Sequence, residues 1–335
     1  MRRRFVVLIG IAIVVFAGVI ALAGSAQARP HRSKVAELVA QMTLDEKLSL
    51  LHGGTDPAGQ GQSGYVPGVP RLGIPELRLT DGAGGVRMAT PATALPSPVA
   101  LASAFDPALA RQYGAVIGRD GRALGMDVLL GPTLNTIRVP YNGRNFETFS
   151  EDPLLTARTV AADVTGIQSQ GMIATPKHFA VNNQETDRDT VNVNVGEQAL
   201  HEIELPGFAA AVKAGAGAIM CAYNQVNGAP SCGNADLLNT VLREQWHFAG
   251  WVMSDWGATH STDAIPVSTV DQSVTRILTV LDRFGLLGPH PRPRPTRDPA
   301  GGAAVAQRVA EQGAVLLRNA GSTLPLRGGT LTASP

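Results

Sequence analysis

The sequence predicts an α/β fold of the (β/α)8 TIM-barrel type, incomplete, with the opening of a further domain behind it. Three observations point there. Short apolar runs recur along the chain, each ends in polar, chemically capable residues, and a helix-like stretch follows each run. That order is the grammar of a parallel sheet. The reactive tips are spread over every run, as in barrels that gather a site from several strand ends. An open doubly wound sheet concentrates its ligand groups at one switch point, and no G-x-G-x-x-G follows the first strand.

Composition sets the outer bounds. The 335 residues carry 28 Lys+Arg against 27 Asp+Glu, with 16% charged and 44% hydrophobic residues. A near-zero net charge argues against a basic nucleic-acid binder, and the apolar content is too high for intrinsic disorder. Glycine and proline, at 37 and 23 residues, follow no fixed period, which argues against collagen and simple repeat arrays.

The chain starts with Arg2, Arg3 and Arg4, an apolar stretch from Phe5 to Ala23, and the small triplet Ala26, Gln27, Ala28. This predicts a secretory signal peptide over 1–28, cut after Ala28, and hence a secreted or extracytoplasmic protein; an uncleaved membrane anchor is the competing reading. No other stretch is long and apolar enough to span a bilayer. Helical spacing marks 34–51, where Thr43 and Glu46 are placed for a capping box that starts a second helix. A Gly- and Pro-rich loop follows to about Pro70. Strands are expected within 77–82, 126–135, 172–183, 218–224 and 250–257, and helices over 107–124, 154–170, 197–214, 235–246 and 270–287. A closed barrel needs eight strands, so this one is short of closure. Residues 29–288 make up the barrel domain, the Pro- and Arg-rich stretch 289–302 reads as a linker, and 303–335 opens the next domain. Cys221 and Cys232 are either an oxidised pair closing a short loop or two separate small core residues.

Asp255 stands where the run GWVMSD delivers a carboxylate to a strand tip, and Trp256 follows at once. A carboxylate there suits covalent catalysis on a sugar, and an indole face suits the C–H side of a pyranose. Trp246, Trp251 and Trp256 all fall within eleven residues. Taken alone, a helix-capping Asp beside a core Trp explains the pattern as well. Lys177 and His178 end the run MIATPKH, and Arg188 follows in a polar stretch; such donors can grip several hydroxyls. Asp81 with Arg87, and Arg144 in GRNFE, add a carboxylate and two guanidiniums at other tips. No His pair has zinc spacing and neither Cys belongs to a C-x-x-C, so no metal is expected and no cofactor is implied. No G-x-S-x-G elbow or phosphate-binding P-loop is present.

The stretches RLTDGAGGVR, GPTLNTIRVPYNGRNFETFSEDP, TPKHFAVNNQETDR, AIMCAYNQVNG, GWVMSDWGATHS and AVLLRNAGSTLPL occur in that order. On these the chain resembles glycoside hydrolase family 3, the β-glucosidase/β-xylosidase family, over 34–256 and again from about Val270. The resemblance implies that Asp255 is the covalent nucleophile and Trp256 the neighbouring aromatic wall. It implies that Asp81, Arg87, Arg144, Lys177, His178 and Arg188 bind sugar hydroxyls, and that Met220 and Tyr223 complete the pocket, Tyr223 hydrogen-bonding near the nucleophile. The implied reaction is retaining hydrolysis of a β-glucoside or oligosaccharide substrate, with no nucleic-acid partner and no membrane partner beyond the signal segment. N-N-Q-E-T with R-N-F-E leans toward the glucosidase-type members.

Two departures from the family pattern are expected to matter. The A-G-x-D-x-E-M-P strand that follows W-G-A-T-H-S in the family is missing, and the α/β-sandwich domain that supplies the acid/base glutamate is represented only by its start. The sequence therefore also admits a catalytically impaired or vestigial sugar-binding remnant. A Schiff-base aldolase using Lys177 is a further reading, although no phosphate-binding loop accompanies it.

Overall fold

A computed structural model describes residues 33–260, 265–288, 292–322 and 324–325. The expected signal peptide over 1–28 lies outside these. Ser33 caps α1 (Lys34–Gln41), and α2 (Leu44–Ser49) starts at the capping box read from the sequence. There Glu46 N donates to Thr43 Oγ1 at 3.3 Å and Thr43 N donates to Glu46 Oε2 at 2.8 Å. The edge strand β1 (Gly64–Val66) pairs antiparallel with β2 (Leu77–Asp81). Then come α3 (Pro98–Ala102), α4 (Pro107–Ala123), β3 (Val128–Leu130), α5 (Pro153–Ser169) and β4 (Ile173–Ala174). Asp106 and Asp152 cap α4 and α5, each with a proline in the first turn, where its missing N–H costs nothing.

The chain continues through β5 (Asn192–Val193), α6 (Glu197–Ala199), a π-helical turn at Leu200–Glu204, and α7 (Pro206–Lys213). The single helix expected over 197–214 is thus interrupted. Pro206 has no N–H and its ring crowds the preceding turn; the interruption, where Leu205 N reaches Leu200 O at 3.0 Å, falls immediately before it. Next are β6 (Ala218–Cys221), the β7 (Gln225–Val226) and β8 (Ala229–Pro230) hairpin, and a π-helix at Asp236–Gln245. β9 (Trp251–Ser254), α8 (Val267–Arg283) and α9 (Pro299–Gly313) follow.

The strands β2, β3 and β4 run parallel, as do β6 and β9, and the bridge Phe179↔Cys221 carries the parallel pairing from beyond β4 to β6. These are the five expected strands, but each is shorter than its apolar run because its last residues leave the ladder to build the tip. Side-chain alternation sorts the strands into two faces. Leu129, Ala174 and Ile219 pack with α4, α5 and α7. Leu79, Val128, Leu130, Ile173, Met220 and Trp251 pack instead against Val35 and Val39 of α1 and the stripe Val270, Val274, Leu278 and Leu281 of α8. Among the described residues no strand lies between β9 and α8. The fold is a partial (β/α)8-type domain in which α1 and α8 cover the face that opposing strands cover in a closed barrel.

The described part of the expected linker, residues 292–302, behaves differently from its composition. Its arginines dock on the domain instead of spacing it from the next. Arg292 Nη2 donates to Ser169 O at 3.1 Å, Arg294 Nη1 to Arg122 O at 3.2 Å, and Arg297 pairs with Asp120 at 3.6 Å. The helix α9 then begins at Pro299, inside the expected linker, capped by Asp298, which also pairs with Arg119 at 3.0 Å. Val305 and Val309 bury against α3 and α4, so this helix adds to the first domain's core.

Cys221 and Cys232 are bonded, which resolves the two readings in favour of the oxidised pair. The crosslink ties the end of β6 to the turn after β8 and closes a loop holding Tyr223 and Asn224. For a closed loop of this size, chain entropy predicts a stabilisation of about 3 kcal/mol. A Cys221→Ser/Cys232→Ser variant is expected to lose about that much in urea unfolding and to show no further loss in dithiothreitol, whereas the parent chain drops to the variant's midpoint on reduction.

Candidate active site

A row of backbone hydrogen bonds crosses the strand tips. Lys177 N donates to Pro132 O at 3.0 Å and Leu134 N to Lys177 O at 2.9 Å. Phe179 N donates to Met220 O at 2.8 Å, Ala222 N to Phe179 O at 2.9 Å, and Asp255 N to Cys221 O at 3.2 Å. Asn135 clasps the backbone of His178, its Oδ1 accepting from His178 N and its Nδ2 donating to His178 O, each at 2.8 Å. The segment 177–179 is thereby wedged between the ends of β3 and β6, and Asp255 is hung from the end of β6.

Two carboxylates reach the site on the inner face, continuing the alternation Leu77, Leu79, Asp81 and Trp251, Met253, Asp255. Neighbouring side chains of one segment serve both. Lys177 Nζ donates to Asp81 Oδ1 at 2.7 Å, and His178 Nε2 lies 3.4 Å from Asp255 Oδ2. Ser63 Oγ donates to Asp81 Oδ2 at 3.0 Å. Trp256 N donates to Asp255 Oδ1 at 2.8 Å, and the Tyr223 hydroxyl hydrogen-bonds the same carboxylate. The Arg188 guanidinium stacks over the Tyr223 ring, 4.6 Å from its centroid.

The electrostatics follow from these contacts. Burial works to raise Asp81, but Lys177, Ser63 and Arg87 outweigh it and hold the carboxyl below its ordinary range. Burial, the negative charge of Asp255 and the bond to it push Tyr223 up to about 12, so the phenol keeps its proton. Burial, together with the positive charges of Lys177, Arg144 and Arg188, drives His178 well below the usual imidazole range. A neutral His178 has a single N–H, and acceptors face both ring nitrogens, Asn135 Oδ1 at 3.3 Å from Nδ1 and Asp255 Oδ2 at 3.4 Å from Nε2.

Residues 68–279 match the glycosyl hydrolase family 3 N-terminal domain. A β-glucosidase from Rhizobium radiobacter is 37% identical over 327 residues, which cover 87% of this chain and 39% of that protein. The crystal structure of DesR, a β-glucosidase from Streptomyces venezuelae in complex with D-glucose, superposes with a TM-score of 0.85 at 53% identity, covering 89% of this chain and 44% of that one. The β-glucosidase 3B of Thermotoga neapolitana, in complex with α-D-glucose, gives 0.79 at 35%, covering 88% of this chain and 48% of that one. The chain belongs to glycosyl hydrolase family 3. It spans less than half the length of these relatives.

Within this family-3 domain the residues singled out from the sequence are distributed as follows. Asp81, Lys177, His178, Tyr223 and Asp255 form one contiguous cluster, and Arg188 joins it through Tyr223. Arg144 and Arg188 do not ion-pair with Asp255. Arg144 is engaged by Glu147 and by Glu185 at 3.7 Å, and Arg188 by Glu185 at 2.7 Å. Lys177 is taken by Asp81, and Asp255 is contacted by hydrogen-bonding groups and not by an arginine or lysine. Arg87 is exposed, its N–H bonded to Asp81 O at 2.9 Å. Met220 is 1% exposed and packs beneath the carboxylates, so it forms floor and not lining. Of the three tryptophans Trp256, 51% exposed, is the one beside Asp255 that offers a face to solvent; Trp251 is core, and the half-buried Trp246 packs edge-on against Phe179.

Sequence reasoning passed over Ser63, Asn135, Glu147 and Glu185. Ser63 lies in a Gly-rich loop with no local mark of function. The other three sit inside motifs that were read for their cations, and their acceptors were the available signal.

The neutral imidazole has a measurable consequence. Below about pH 6.5 the unfolded chain takes up a proton that the folded site refuses, so the unfolding free energy falls as pH falls, by up to about 1.4 kcal/mol per pH unit from this group. His178→Gln is expected to flatten the dependence of urea stability on pH between about 6.5 and 5. Identical slopes in parent and variant would contradict the assignment.

Proposed function

We propose that this chain is the catalytic barrel portion of an exported, retaining β-glucosidase that releases terminal β-linked glucose through a covalent intermediate on Asp255. The observation that carries the reading is the placement of Asp255: a carboxylate at a strand tip, fixed by Trp256 N–H, Tyr223 O–H and His178, beside a second carboxylate held ionised by Lys177. The printed names of the relatives support the sugar.

In this mechanism a carboxylate oxygen of Asp255 attacks the anomeric carbon, the glycosidic C–O bond breaks, and its electron pair leaves with the aglycone oxygen. Water then attacks the glycosyl ester, releasing glucose and restoring the carboxylate. The Tyr223 hydrogen bond keeps one oxygen directed and is given up as the negative charge is transferred. Asp81 accepts from sugar hydroxyls, Lys177, His178 and Arg144 donate to them, and Trp256 offers its face to the ring. Aldolase chemistry is disfavoured, because a Schiff-base lysine must present a free amine and Lys177 is engaged by Asp81.

A second reading, sugar binding with little turnover, is favoured by one observation. The glutamates closest to the cationic loop, Glu147 and Glu185, are both engaged by arginines and are unsuited to protonating a leaving group. Losing general acid catalysis costs about 10²–10⁴-fold for a poor leaving group and much less for a nitrophenolate.

Two measurements test the proposal. With p-nitrophenyl β-glucoside, Asp255→Asn is expected to lower the rate by on the order of 10³-fold, about 4 kcal/mol of barrier, while glucose binding by calorimetry persists. Equal rates remove Asp255 as nucleophile; binding without turnover in the parent chain selects the second reading. The exported protein is expected to begin at Arg29 by N-terminal sequencing, and a sequence beginning at Met1 defeats the cleavage reading.

A further inference from the structure

Four cations gather at the end of the sheet opposite the catalytic carboxylates. Arg243, on the π-helix Asp236–Gln245, donates to Phe248 O and, at 2.7 Å, to Gly250 O, with its guanidinium 5.1 Å from the Phe248 ring centroid. Arg283, the last residue of α8, donates to Gly215 O at 3.0 Å. Arg276, on the same helix, adds its charge to that of Arg243. Lys213 ends α7 without a hydrogen bond or ion pair among the described residues.

No carboxylate of the described residues pairs with any of the four. Elsewhere in this chain buried or half-buried guanidiniums, such as Arg78, Arg122, Arg144 and Arg188, each hold an acid. Burial and the charge of Arg276 lower Arg243 to about 10, and burial lowers Arg283. The positive charge of Arg283, which faces the groove, is thus kept at a cost that an incoming anion relieves.

Lys213 and Arg283 line a groove of about 440 Å³, and Arg243 holds two of its lining residues, Phe248 and Gly250, through their carbonyls. Val212, Trp246 and Phe248 supply apolar wall, and Lys213, His247 and Arg283 bring cationic or protonatable groups to it. The volume is many times that of a single water and falls in the range of small-molecule sites. A bare inorganic anion would leave most of that wall unused. We propose that this groove binds an organic anion, an aryl-sized apolar body carrying one carboxylate. Its site lies at the amino-terminal ends of β6 and β9, about 13 Å of strand from the sugar-binding tips. The occupant would therefore bind alongside a glucoside, and the site is independent of the reaction proposed above.

The test uses trans-cinnamate, its uncharged analogue cinnamamide, and inorganic phosphate, followed by calorimetry and by the fluorescence of Trp246. Cinnamate is expected to bind with a Kd on the order of 1 mM or tighter, at least ten-fold more tightly than the amide, and to resist displacement by phosphate. Lys213→Gln, at an exposed position with no partner to lose, and Arg283→Gln, at the other cation lining the groove, are each expected to weaken cinnamate several-fold, and Asp255→Asn to leave it unchanged. Equal binding of acid and amide, full displacement by phosphate, absence of binding, or unaltered affinity in both charge variants would each overturn the proposal.

Discussion

The hydrogen bonds that hold residues 177–179 between the ends of β3 and β6 are the constraint on which the site depends. They convert a run of sequence into a fixed spacer: Lys177 faces one carboxylate and His178 faces the other, although Asp81 and Asp255 are 174 residues apart in the chain. The same row hangs Asp255 from Cys221 O, so a shift of β6 would move Asp255, Tyr223 and His178 together. The disulfide at Cys221 anchors that strand end from the other side. Rigid strands below and short pinned segments above are what allow polar groups to converge without collapsing on one another.

Charge in the site is balanced pair by pair. Lys177 goes to Asp81, Arg144 to Glu147 and Glu185, and Arg188 to Glu185, while His178 stays neutral under burial and their combined field. Ion pairs of this kind satisfy buried groups but leave little net charge to spend elsewhere. Asp255 is the exception, contacted by Trp256 N–H and by the uncharged Tyr223 and His178.

Away from the site, the sheet solves a packing problem. Five parallel strands leave one face that opposing strands would cover in a closed barrel. Here the apolar stripe of α8 and the two valines of α1 bury it, while the arginines of 292–297 and the docking of α9 seal the outer helices. Composition suggested a spacer there because Pro and Arg are common in linkers. What composition does not contain is the location of Asp120, Ser169 O and Arg122 O, which turn those arginines into fasteners.

Local chemistry was readable in the sequence wherever the physics is local. The capping box at Thr43, the Asp–Pro starts of α4 and α5, the five apolar runs and the carboxylates at their tips all follow from spacing and residue type within a few positions. The family motifs carried Asp255, Lys177, His178 and Tyr223 into the site in advance. The tertiary structure decided which acid each cation would serve, that Met220 and Trp251 would be floor and core, that Ser63 would reach Asp81, and that the cysteines would bond. Those outcomes depend on distances between segments far apart in the chain, and an electrostatic or packing partner is chosen by proximity in space, which no one-dimensional pattern contains.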